Sequence, residues 1–201
     1  MLIIYIIIIL VISTYIFSTK LIYNEGKEKL KDQKVLPDFG FDIIEDRRHD
    51  KYLYKIKEVL NIFYLFIFFI SIYNDKKALL EYVLTVGIIL IMKNILFVST
   101  ILPDPSQKCK KFCAKKFYQG TCFDLHISSH STLLFASLFV LINNKICNGN
   151  TFLVAIMINM IIVYLILTLR QHYSMDILNA LFYTYFVNYY VRNNLVPKIL
   201  A

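Results

Sequence analysis

The segment Cys122 to Ser131 reads CFDLHISSHS and holds two histidines, one aspartate and three serines. A second polar group, RQHYSMD, begins at Arg170. Within it His172 and Asp176 stand four apart, which puts them on one helical face, one turn apart. A carboxylate so placed holds one imidazole nitrogen, fixes the tautomer and raises the basicity of the other nitrogen. That is the arrangement of an activated nucleophile or base. His130 follows Ser128 and Ser129, residue types that cap helix N-termini. A helix N-terminus offers free N–H groups and the positive end of a dipole, which suits a phosphate. Lys93, inside an apolar run, could reach such a phosphate, and Arg170 and Asp124 are further candidate supports. Two histidines, one with its aspartate, plus cations and a helix N-terminus, point to phosphoryl chemistry. One histidine attacks phosphorus and the other protonates the leaving oxygen.

Each group also has a plainer reading. His172 and Asp176 alone would serve as a polar cap at a membrane interface. SSHS alone is a capping run with an incidental histidine, and Lys93 alone is a snorkelling side chain. The rival chemistry is a zinc site from His126, His130, His172 and Asp176. On the phosphoryl reading His126 is a bystander or a residue that supports the reacting groups from behind. No carboxylate cluster suggests magnesium, so that reading calls for no metal and no other cofactor.

These residues need elements to hold them. The chain has 201 residues, 58% hydrophobic and 15% aromatic, with the apolar residues in blocks. A bilayer core asks for about 20 apolar residues per helix. The blocks predict an all-α polytopic membrane protein of one domain, with six transmembrane helices near 2–18, 57–73, 79–102, 127–142, 151–169 and 172–191. The first is read as a retained helix rather than a cleaved signal. Lipid-facing barrels alternate apolar and polar residues, and these runs do not. With six spans the loop before 57, the PDPS loop, CFDLHISSHS and RQHYSMD all share one membrane face.

Net charge is +8. The basic residues lie in loops between apolar blocks, which favours anionic lipid head groups over nucleic acid as partners. Cys109, Cys113 and Cys122 fall in one loop, where an oxidising lumen would allow one disulfide; Cys147 stands apart.

Four stretches, in order, resemble the sphingomyelin synthase-related family of the type 2 phosphatidic acid phosphatase superfamily. VLPDFGFDII resembles its first motif through Pro37, Asp38 and Asp42. KNILFVSTILPDP resembles the second, with Lys93 where the family has Arg, and with Pro103 and Pro105. CFDLHISSHS resembles CGDxxxSGHT: Cys122, Asp124, Ser128 and His130 match, while Phe123 and Ser129 replace glycines and Ser131 replaces Thr. HYSMDILNAL resembles HYTxDVxxAY through His172, Tyr173, Asp176 and Ala180. The resemblance implies six membrane helices, with His172 as a nucleophile forming a phosphohistidine, Asp176 orienting it and His130 as general acid. It implies transfer of a phosphoalcohol head group from a glycerophospholipid donor to ceramide or diacylglycerol. The phosphatase branch usually carries a Lys-x6-Arg-Pro motif, which this chain lacks. The alternatives are a lipid phosphatase and a non-catalytic protein that binds phospholipid or diacylglycerol. The resemblance implies an endomembrane or plasma-membrane location with a lumenal or exoplasmic site. The positive-inside rule argues the opposite orientation, because the site face carries Lys108, Lys110, Lys111, Lys115 and Lys116.

Overall fold

The computed structural model describes residues 6, 9–18, 34–105 and 125–201, and among these there are helices and no strands. The helices begin where a short polar side chain can satisfy free N–H groups. Following α1 (Ile9–Ser18), Asp38 caps the short α2 (Phe39–Ile43) by accepting from Phe41 N–H. Asp50 caps α3 (Lys51–Ile72), accepting from Tyr52 and Leu53. Asp75 caps α4 (Lys76–Ser99) in the same way. Ser128 caps α5 (Ser129–Asn143) and Asn148 caps α6 (Gly149–Thr168). The last long helix, α7 (Ser174–Tyr190), runs through a π-turn (Val191–Leu195) into α8 (Val196–Leu200). The wider turn precedes Pro197, whose ring and missing N–H do not fit a regular α-turn.

The boundaries differ from the sequence reading where charge misled it. The α3 helix starts at Lys51 rather than near 57, because Asp50 caps a charged first turn. The α4 helix stops at Ser99 rather than near 102, where Thr100 turns to extended backbone ahead of Pro103.

In the bundle α5 packs against α7, α4 and α6, while α3 packs against α6 and α4 against α7. Tyr64, Phe68 and Ile72 of α3 meet Tyr82 and Val86 of α4 and Leu134 and Val140 of α5 in one apolar core. Asn94 of α4 donates to Thr14 of α1 at 3.0 Å, which ties the first helix to the bundle. At the end where α4 begins and α5 and α7 finish, buried Glu81 accepts from Asn143, Asn144 and Asn188 at 2.8, 2.9 and 3.0 Å. Arg192 of the π-turn donates to Asn143 at 2.7 Å and extends this network. Among the described residues two helical stretches, Lys76–Leu96 and Gly149–Thr168, are long and apolar enough to cross a membrane.

Candidate active site

The opposite end of the bundle gathers the start of α5, the start of α7 and the ends of α4 and α6. The α6 helix closes on Arg170, a residue other than glycine at φ 52°, with Arg170 N–H and Gln171 N–H donating to Leu167 and Ile166 carbonyls. This sharp stop leaves His172 in the bend just before α7, which starts at Ser174 rather than at 172, so His172 meets Asp176 across the helix N-terminus and not along a helical face. His172 Nδ1 lies 3.2 Å from Asp176 Oδ2, and both side chains are buried. With Nδ1–H donating to the carboxylate, the lone pair sits on Nε2, the nitrogen free to attack.

Asp176 serves more than the imidazole. Its Oδ2 also accepts from Tyr173 N–H at 3.1 Å, the reach-back of a helix-capping acid. Its Oδ1 accepts from His126 N–H at 2.9 Å, and its carbonyl from Ser128 N–H at 3.1 Å. The carboxylate therefore fastens the segment before α5 to α7, and with it His130, which lies in the first turn of α5. His130 is partly buried and within electrostatic range of Lys57, His172 and Lys93. The sequence-derived pair, His130 and His172, thus shares one neighbourhood.

Of the other expected residues, Lys93, Ser128 and Ser129 meet at the start of α5, whereas Arg170 turns away from it. Buried Lys93 donates from Nζ to Ser129 Oγ. Ser128 is engaged in capping, its Oγ accepting from both Ser131 N–H and Ser131 Oγ. Arg170 turns to the strap of residues 36–50: Nη2 donates to Phe41 and Ile44 carbonyls at 2.9 Å, and the guanidinium lies over the Phe41 ring. Its Nε and Nη1 have no hydrogen-bond partner among the described residues. Asp124, Cys109, Cys113 and Cys122 lie outside the described residues. His126 is at φ 75°, with Nε2 at 2.6 Å from the Thr100 carbonyl. Its ring is thereby committed to the end of α4, and among the described residues no three His, Cys, Asp or Glu side chains converge on a common point.

The strap has its own anchors. Asp38 accepts from Ser174 N–H at 2.7 Å and Ser174 Oγ at 2.6 Å, so one carboxylate caps α2 and grips α7. Tyr173 donates to the Pro103 carbonyl at 2.7 Å and accepts from Leu36 N–H at 3.3 Å. Asp46 is held down at about 2, chiefly by its hydrogen bond from the Arg48 guanidinium. Leu36, Pro37, Leu102, His126, Tyr173 and Asp176 help to line a cavity of about 210 Å³.

Lys57 escaped the sequence reading. It is fully buried on α3, in line with Asn61 and Tyr64. The signal was present: polar residues at i, i+4 and i+7 on an otherwise apolar helix mark a face turned inward.

Fold and site together define a helical protein with a His–His–Asp group, flanked by buried lysines, at one end of its bundle. Residues 121–193 match the family PAP2 superfamily C-terminal, a stretch that includes His130, His172 and Asp176. The match supports the type 2 phosphatidic acid phosphatase superfamily and, with it, a membrane-associated enzyme that acts on lipids as phosphatase or phosphotransferase. No curated protein matches the chain.

Proposed function

We propose that this chain is a lipid phosphotransferase of the sphingomyelin synthase-related type. The observation that carries the reading is the buried contact of His172 Nδ1 with Asp176, whose backbone carbonyl accepts from Ser128 N–H at 3.1 Å, two residues before His130. His172 Nε2 attacks the phosphorus of a glycerophospholipid. The bond from phosphorus to the glycerol oxygen breaks, and His130 gives its proton to that oxygen as diacylglycerol leaves. The head group then rests on His172 as a phosphohistidine. In the second half His130 takes the proton of the acceptor hydroxyl, of ceramide or, in reverse, of diacylglycerol. The hydroxyl oxygen attacks phosphorus and frees His172. Lys93 and the free N–H groups of the first α5 turn balance charge on the phosphoryl oxygens.

The reading includes six membrane spans in one domain, an endomembrane or plasma-membrane location and a lumenal or exoplasmic site. Broad exposed apolar faces support the spans: Phe63, Phe66, Ile67 and Ile70 on α3, Met157, Met160 and Ile161 on α6, and Phe182, Phe186 and Tyr189 on α7. The family match fits a hydrolase as well, with water in place of the acceptor hydroxyl.

Purified protein in vesicles containing glycerophospholipid and labelled ceramide should form a labelled phosphoalcohol lipid, and His172→Ala should lose at least about 10³-fold in turnover. Release of free phosphoalcohol or phosphate without lipid product would select the hydrolase. Turnover unchanged in His172→Ala would refute both.

A further inference from the structure

Lys57 has a setting that calls for an anion. Its side chain is 1% exposed, whereas that of its partner Glu58 is 33% exposed, with Nζ to Oε1 at 2.5 Å. The cation is thus inside the bundle and the acid reaches in from the rim. Lys57 also sits over the Tyr54 ring, with Nζ 5.1 Å from the centroid. The α3 helix starts at the site end, where Arg47 N–H donates to the Thr168 carbonyl at 2.9 Å, and it packs on α5 and α6, so Lys57 in its second turn lies buried at the end of the bundle that holds His130 and His172. An ammonium carries three donors, and a carboxylate that remains partly hydrated compensates its burial poorly.

We infer that Lys57 binds the phosphate group on which His130 and His172 act, and that the phosphate replaces Glu58 at the ammonium. The ligand class is a phosphate ester anion, and the inference rests on the phosphoryl-transfer reading above. Phosphate supplies several charged acceptors to a compact point charge, and Glu58, once displaced, turns to water at little cost. The exchange would also keep the buried lysine paired throughout the cycle.

The test uses the full chain purified in detergent, with inorganic phosphate as the probe. Its affinity is read from the rise in melting temperature, and the KM for a glycerophospholipid donor is measured in parallel. Lys57→Met should weaken phosphate about tenfold or more and raise KM, because a charge-assisted contact is lost. Glu58→Gln should shift phosphate affinity the other way, by a few fold, because the competing acid is gone. Lys57→Arg should fall between wild type and Lys57→Met. If Lys57→Met does not melt cooperatively, the gain in Glu58→Gln decides. Unchanged phosphate affinity and KM in Lys57→Met, or a loss in Glu58→Gln equal to that in Lys57→Met, would overturn the inference and leave a merely structural pair. Active wild-type protein that phosphate does not stabilise would overturn this inference alone. Protein that neither binds phosphate nor turns over lipid would remove the phosphoryl-transfer reading as well.

Discussion

Asp176 does two jobs with one carboxylate. Oδ2 faces His172 and the N-terminus of α7, while Oδ1 holds His126 N–H. Only the first job was legible in the sequence, from the four-residue spacing. The second depends on a contact across 50 positions that no local pattern announces. The division yields a separable outcome. Asp176→Asn keeps the shape, and its amide oxygen can still accept from one backbone N–H, but it cannot stabilise an imidazolium. Turnover should fall by about 10³- to 10⁴-fold, as when a histidine loses its orienting acid. Circular dichroism and a melting curve should show the fold kept. Full activity in this variant would contradict the orienting role. His126 stands out in the sequence but is a bystander on the phosphoryl reading, and its ring is engaged at the end of α4.

At the scale of elements, the strap of residues 36–50 is fastened to Ser174 of α7 and to Arg170 at the site end. The LPD stretch was legible as a motif, but what it grips was not, since Ser174 is 136 positions from Asp38. Gly40 makes the close approach feasible: a Cβ there would lie 2.0 Å from Ser174 Oγ. Ser174 could rotate its hydroxyl away only by giving up its bond to Asp38. Gly40→Ala should therefore destabilise by about 1–3 kcal/mol, seen as a lower melting temperature. Adding Ser174→Ala removes the worst clash, so the double variant should lose less than the sum of the two single changes. Strict additivity would contradict this packing. Arg170 offers a second check, because its backbone pays for a left-handed turn. Arg170→Gly and Arg170→Ala both lose the clamp on Phe41 and Ile44, but the glycine form should melt higher, by about 1 kcal/mol. Equal melting would mean that the turn carries no strain. Acid should loosen the strap slightly: Asp46 has a lowered folded value, so its contribution is present above 3.8 and is lost as pH falls toward about 2. Its exposure keeps that contribution small.

At the scale of the whole molecule, apolar blocks showed that helices dominate, since long uninterrupted runs leave no room for alternating strands. They did not show where polar residues go inside the bundle. Glu81 and its three amide partners come from three helices, so their meeting needs the packing itself. The two ends of the bundle carry different polar groups, and the six-span reading places them on opposite membrane faces. Cys147 lies in the turn between α5 and α6, at the Glu81 end, and Arg47 lies exposed in the strap at the site end. In a chain with the other cysteines changed to serine, a membrane-impermeant maleimide added outside intact cells or to the lumenal face should label Arg47→Cys. Cys147 should react only after permeabilisation. The reverse pattern would place the site in the cytosol, as the positive-inside count argues.

The central claim is that His172 carries the head group covalently. Rapid alkaline quenching of the protein during turnover, followed by peptide mass spectrometry, tests it most directly. The peptide containing His172 should carry a phosphoalcohol adduct that is stable in base, lost in acid and absent from His172→Ala. An active enzyme whose His172 stays unmodified throughout turnover, with the adduct elsewhere or nowhere, would contradict the account.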